Sequence, residues 1–167
     1  WGMVKTSGDN GKTWSAGERL PEGILGPIKN KPIQLADGTI IAPSSTETNR
    51  KKTGIDSWKA HMEISKDDGK AWKLVPVDPG TSFNVIQPSV LFYPGNRLQI
   101  LCRSRENAVM TAWSEDGGVT WGKFEKTNLM NPNSGTDAVT LRDGRQVLIY
   151  NPTVRGKKWD NGRQKLN

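Results

Sequence analysis

Arg103 and Arg105 stand two residues apart at the end of the apolar run Leu98–Cys102. Their planar guanidinium groups are of the kind that grip a carboxylate through two parallel hydrogen bonds. Upstream, Lys29 and Lys31 flank a strand start and can add positive potential, while Glu47 and Asp137 are carboxylates that could share acid and base roles. His61 could serve as a base, and Tyr150 could line a ligand site. Each residue also has a plainer reading. Arg105 and the two lysines could be solvated loop residues, Glu47 and Asp137 turn or cap groups, His61 a satisfied strand residue and Tyr150 core.

The elements that must position these residues show themselves as repeats. Ser7-x-Asp9-x-Gly11-x-Thr13-Trp14 returns as Ser65-x-Asp67-x-Gly69-x-Ala71-Trp72 and again as Ser114-x-Asp116-x-Gly118-x-Thr120-Trp121. A second motif, a tight apolar hairpin, turns at Asp37-Gly38, at Pro94-Gly95-Asn96 and at Asp143-Gly144. The serines fall at 7, 65 and 114 and the turn glycines at 38, 95 and 144, so the two motifs advance together by roughly 50–60 residues. Two hairpins per unit make a four-stranded antiparallel sheet, which is the blade of a β-propeller. With 18 Gly and 10 Pro and no sustained 3.6-residue apolar period, long helices are excluded and the chain reads as all-β.

With strands lettered A to D within a blade, the Asp-Gly turns join A to B and the S-x-D-x-G turns join C to D. The chain then divides into a half-blade 1–30, a blade 31–85, a blade 86–130 and a half-blade 131–167, about three blades' worth. The S-x-D-x-G-x-[TA]-W turns have structural work to do: Ser and Asp bond to backbone groups inside the turn, Gly supplies a positive φ, and Trp14, Trp72 and Trp121 are expected to pack between sheets. Asp67-Asp68-Gly69 invites a calcium reading, but the spaced oxygens and closing Glu of an EF-hand loop are missing, so neither metal nor cofactor is expected. In such a blade the A–B and C–D turns share one face. The D–A and B–C connections, in the stretches 27–31, 43–58, 78–87, 103–107, 128–137 and 151–163, share the other, where long polar and basic loops collect.

Composition narrows the partners. The net charge of +7 and pI near 9.6 suit an anionic partner, which could be nucleic acid, a membrane surface or an acidic sugar. The basic residues are scattered, with Lys51-Lys52 and Lys157-Lys158 as adjacent pairs, and no nucleic-acid-binding signature accompanies them, so nucleic acid is not expected. No apolar run approaches the ~18 residues of a spanning helix and no charged-then-apolar leader opens the sequence, so no membrane partner is expected either. The single cysteine, Cys102, excludes an internal disulfide and sits in an apolar run as a buried small residue.

On its three S-x-D-x-G-x-[TA]-W boxes, the chain resembles the BNR/Asp-box sialidase (neuraminidase) superfamily. The segments Gly26–Pro32, Ile86–Ser89, Cys102–Arg105 and Asn131–Asp137 look like its sialidase-like branch. The resemblance implies a six-bladed propeller with its active site opposite the Asp-boxes. It implies three arginines on the substrate carboxylate, a Tyr nucleophile activated by Glu, and an Asp acid. Arg103 takes the place of one of those arginines. Gln87 stands where the activating Glu would be, and Gln cannot act as a general base. The remaining groups are expected in blades before Trp1 or after Asn167.

Two functions are therefore open. One is a sialidase-like exo-glycosidase on sialic acid or another acidic sugar, of which this chain carries a part; the other is a catalytically silent carbohydrate-binding or scaffold propeller. The resemblance favours a secreted or periplasmic setting and an acidic carbohydrate as partner. Three blades are half of six, so either a homodimer closes the ring by pairing the terminal A–B hairpin with the initial C–D hairpin, or the chain is a fragment.

Overall fold

The computed structural model describes residues 2–54 and 56–156. Trp1, Ile55 and residues 157–167, with the Lys157-Lys158 pair, lie outside the described residues. Twelve strands follow in order among the described residues: β1 (Met3–Val4), β2 (Glu18–Arg19), β3 (Ile33–Gln34), β4 (Ile40–Thr48), β5 (Ser57–Ser65), β6 (Lys73–Pro76), β7 (Val85–Phe92), β8 (Leu98–Ser104), β9 (Ala108–Ser114), β10 (Glu125–Met130), β11 (Asp137–Thr140) and β12 (Gln146–Ile149). One short helix, α1 (Arg50–Thr53), sits in the connection from β4 to β5. Strands β3 to β6 form one four-stranded antiparallel sheet and β7 to β10 another, each meandering in chain order. The pairs β1–β2 and β11–β12 stand as separate two-stranded sheets.

The core lies between sheets. On β5, side chains alternate: Ala60, Met62 and Ile64 face the next sheet, where they meet Val90, Ile100 and Met110 together with Ile41 of β4. Ile41, Met62, Ile100 and Met110 are each 0% exposed, and burial of such a side chain stabilises the fold by about 1.5–3 kcal/mol. A second cluster of Leu91, Leu101, Val109 and Ala138 joins the β7–β10 sheet to the β11–β12 hairpin. Inner strands such as β8 are covered on both faces and read as continuous apolar runs, whereas β10, at the sheet edge, is mostly exposed. Cys102 is wholly buried in the first cluster, and burial pushes its thiol pKa up.

The three Asp-box turns are built alike. Ser7, Ser65 and Ser114 each donate to the neighbouring Asp at 2.8 Å and each accept the N–H of the box glycine at 2.8 Å. Asp9, Asp67 and Asp116 then accept the N–H of Thr13, Ala71 and Thr120 at 2.8–2.9 Å. Both turn-centre residues are left-handed: Asn10 and Gly11, Asp68 and Gly69, Gly117 and Gly118. Each Trp closes its own turn, donating from Nε1 to the glycine carbonyl at 2.8–3.1 Å.

The expectation that all three tryptophans pack between sheets needs correction. Trp121 packs on the core and Trp72 is half-buried, but Trp14 is 60% exposed. Its hairpin, β1–β2, pairs through only two residues per strand, and the indole rests on Gly11 rather than under a neighbouring sheet.

These turns predict a particular acid sensitivity. Hydrogen bonds from Thr13 and Ser7 hold the Asp9 pKa down at about 2, against an ordinary 3.8, and Asp67 and Asp116 are lowered for the same kind of reason. A carboxylate depressed in the folded state contributes stability that is whole above its unfolded pKa and lost as pH falls through its folded one. The urea midpoint should therefore fall between about pH 4 and pH 2, and Asp9→Asn should flatten that slope. An unchanged slope in the variant would remove Asp9 from the effect.

Candidate functional site

Three segments at the starts of the first strands of successive sheets meet at the end of the molecule away from the Asp-boxes: 28–31 before β3, 85–89 in β7, and 131–137 running into β11. A buried polar chain stitches them. Asn30, 3% exposed, donates from Nδ2 to the Gln87 carbonyl and to Ser89 Oγ, both at 2.8 Å. Ser89 Oγ in turn donates to Asp137 Oδ1 (3.2 Å) and accepts from Ala138 N (3.1 Å). Asp137 also pairs with Lys31 Nζ at 3.0 Å. Burial opposes ionisation of Asp137, but the Lys31 hydrogen bond and charge more than offset it, so its carboxyl lies below the usual range.

Gln87 owes its orientation to a β-bulge. In the pairing of β7 with β8, Ile86 lies opposite Arg103 and Ser89 opposite Leu101, so Gln87 and Pro88 together face the single residue Cys102. Gln87 takes the left-handed conformation there (φ 56°), and a bulge of this kind re-aims a side chain at a strand end.

Arg103, at the far end of β8 from the Asp-box, is held on three sides. Its Nε donates to Asn133 Oδ1 (2.8 Å), its Nη1 to Gln87 Oε1 (3.3 Å), and its Cζ lies 5.3 Å from the centre of the Trp58 ring. Lys29 reaches the same region, donating from Nζ to the Thr136 carbonyl (2.7 Å) and Asn30 Oδ1 (3.0 Å). Its stem crosses Gly135 so closely that a Cβ there would lie 2.8 Å from Lys29 Cε. Burial first, then the charges of Arg103 and Lys31, pull the Lys29 pKa below the ordinary lysine value, with Asp137 acting the other way. Lys29, Gln87 and Asn133 all have positive φ (71°, 56° and 60°), so each segment around Arg103 holds a backbone conformation that other contacts must enforce.

Of the residues singled out from the sequence, Arg103, Gln87 and Lys29 come together, with Asp137 at their border. Arg105 also lies over the Trp58 ring, 4.0 Å from its centre, and is engaged bidentately by Asp56 at 2.8 and 3.0 Å. The suggested acid and base pair of Glu47 and Asp137 is not formed: Glu47 is exposed near the end of β4, and the carboxylate of Asp137 is taken by Lys31 and Ser89. His61 is buried inside the blade, 3.2 Å from Glu63, as the strand reading had it. Tyr150 packs on the second core cluster.

The sequence reading missed Asn133, Trp58 and Asn30. Asn133 had a signal, since Asn tolerates the left-handed region better than most residues and sits between a proline and a Ser-Gly pair. A cavity of about 560 Å³ opens at the other end, walled by Leu35, Ile64 and Val75 and by the Asp116–Gly117 turn. The carboxylates there, Asp37 and Asp116, are spent on their own turns, and Lys66 and Lys73 stand at its wall.

Four-stranded blades with their cores between them, Asp-box turns at one end and a cationic cluster at the other, define a sialidase-type β-propeller architecture. The chain matches the BNR repeat-like domain over residues 1–167 and belongs to that family. It is 28% identical over 175 residues to a sialidase of Bacteroides fragilis (strain YCH46), a match covering 93% of this chain and 30% of that protein. In fold it is similar to a protein of unknown function from Dyadobacter fermentans DSM 18053 (TM-score 0.71, 23% identity, 89% of this chain and 43% of that one). It is also similar to the leech intramolecular trans-sialidase crystallised with 2,7-anhydro-Neu5Ac (TM-score 0.67, 20% identity, 93% and 24%). The chain thus spans about a third of its curated relative and less than half of these structures.

Proposed function

We propose that this chain supplies the acid-recognising part of a sialidase-like propeller that binds sialic acid or another acidic sugar, with Arg103 as the carboxylate ligand. The observation that carries the reading is the fixing of the Arg103 guanidinium by Asn133, Gln87 and Trp58, with Lys29 beside it. A guanidinium held in advance loses little side-chain freedom when it takes a carboxylate, and the nearby lysine raises the potential for an anion. The parent activity is read as exo-glycosidic hydrolysis, from the family and its named relatives.

The test compares N-acetylneuraminate with its methyl ester by calorimetry on the intact protein. Arg103→Ala should weaken the acid by about 1.5–3 kcal/mol, or roughly 10- to 150-fold, and leave the ester nearly unchanged. Equal losses for both would remove Arg103 from the role. A second reading, binding without turnover, is favoured by Gln87, a side chain that cannot act as a general base, which stands beside Arg103 at the position where the family resemblance puts the activating Glu. Binding without release of fluorophore from a fluorogenic sialoside supports that reading, and turnover supports hydrolysis.

A further inference from the structure

The amide of Gln87 has only one orientation compatible with its neighbour. Arg offers hydrogen-bond donors and no acceptor, so the group facing Arg103 Nη1 must be the amide oxygen, and the Nε2 donors are turned to the other side. Gln87 is only partly buried, and its side chain makes no other hydrogen bond among the described residues. The main chain allows no easy alternative. The bulge fixes Gln87 at φ 56°, and Asn30 clamps its carbonyl at 2.8 Å. Around it stand Arg103 on β8, Lys29 on the loop before β3, and the Lys31–Asp137 pair. The carboxylate among these is neutralised by its own lysine, so the group presents donors: guanidinium, ammonium and amide.

From this we infer that Gln87 is a ligand-binding and specificity-determining residue, a neutral donor whose Nε2 takes an oxygen of the acidic sugar beside the one held by Arg103. It is a receptor group in its own right rather than a base that has lost its charge. A carboxylate at position 87 would pair with Arg103 at the distance Gln87 now occupies and cancel the charge that attracts the ligand. The neutral amide orients Arg103 without cancelling it. The inference rests on the proposed recognition of an acidic sugar, and the experiment separates the two.

Binding of N-acetylneuraminate, glucuronate and their methyl esters is measured on the intact protein and on Gln87→Glu, Gln87→Met, Gln87→Asn and Arg103→Ala. Gln87→Asn is included because Asn accepts the left-handed backbone, so it keeps the bulge while withdrawing the donor by one methylene. Gln87→Met and Gln87→Asn should each lose about 3- to 10-fold for the acid they bind, the size of one hydrogen bond. Gln87→Glu should lose more for the acids than for the esters, lowering the acid-to-ester ratio. Gln87 variants that bind the acids like the unaltered protein, while Arg103→Ala does not, would overturn the role of Gln87 and leave that of Arg103 intact. A gain in sialoside turnover by Gln87→Glu would also overturn it, because position 87 would then be a base site. Failure of Arg103→Ala to distinguish acid from ester would instead sink the recognition of the acid itself.

Discussion

Glu63→Ala is expected to destabilise the protein by about 3–5 kcal/mol, more than any substitution in the candidate site. Glu63 is 0% exposed, yet it carries a carboxylate on the face of β5 opposite Met62. Both oxygens are used: Oε1 accepts the N–H of Leu25 at 2.8 Å and lies 3.2 Å from His61 Nε2, while Oε2 accepts the N–H of Gly26 at 2.7 Å. These bonds tie the connection after β2 to the first complete blade, where Leu25 and Gly26 have no strand partner to bond instead. Truncation leaves both N–H donors unmet, and each such group, once buried, costs about 1–3 kcal/mol. A glutamine side chain in place of the carboxylate could serve only one of the two donors, so Glu63→Gln should fall between. Urea denaturation of the three proteins measures the order, and a Glu63→Gln variant as stable as the unaltered protein would refute the account.

Gly118→Ala should also be strongly damaging, at about 2–5 kcal/mol, the sum of a backbone cost and a packing cost. Gly118 sits at φ 89°, where a side chain costs about 1–2 kcal/mol. A Cβ there would also lie 2.8 Å from Ile41 Cδ1 and 3.4 Å from Leu98 Cδ1, inside the core. Overpacking of that kind adds about 1–3 kcal/mol. Gly11 provides the control within the same molecule. Its φ is 83°, but an added Cβ would meet only Trp14 at 3.7 Å, so Gly11→Ala should show the backbone cost alone. Equal shifts in urea midpoint for the two variants would show that the contact with Ile41 contributes nothing.

Much of this fold is written locally. Each Asp-box turn closes within eight residues through contacts between near neighbours, from Ser to Asp to the next N–H, so residue types at fixed spacing suffice to define it. The Asp-Gly and Pro-Gly-Asn hairpins are local in the same sense, and two kinds of turn repeating in register dictate four-stranded blades. Arg103 and Gln87 meet for the same reason, since strand A begins beside the end of strand B. What the chain could not disclose by spacing was long-range. Lys29 meets Thr136 across 107 residues and Asn30 meets Ser89 across 59, because sheets pack side by side only after the blades have formed. Asn133 as the partner of Arg103, Trp58 as its platform, and Glu63 as a buried clamp on Leu25 and Gly26 all belong to this class. So does the dispersal of Glu47, Asp137 and Arg105, whose candidate roles were chemically sound. Packing decided their partners, since an ion pair with Lys31 or Asp56 depends on which loops the blades bring into contact.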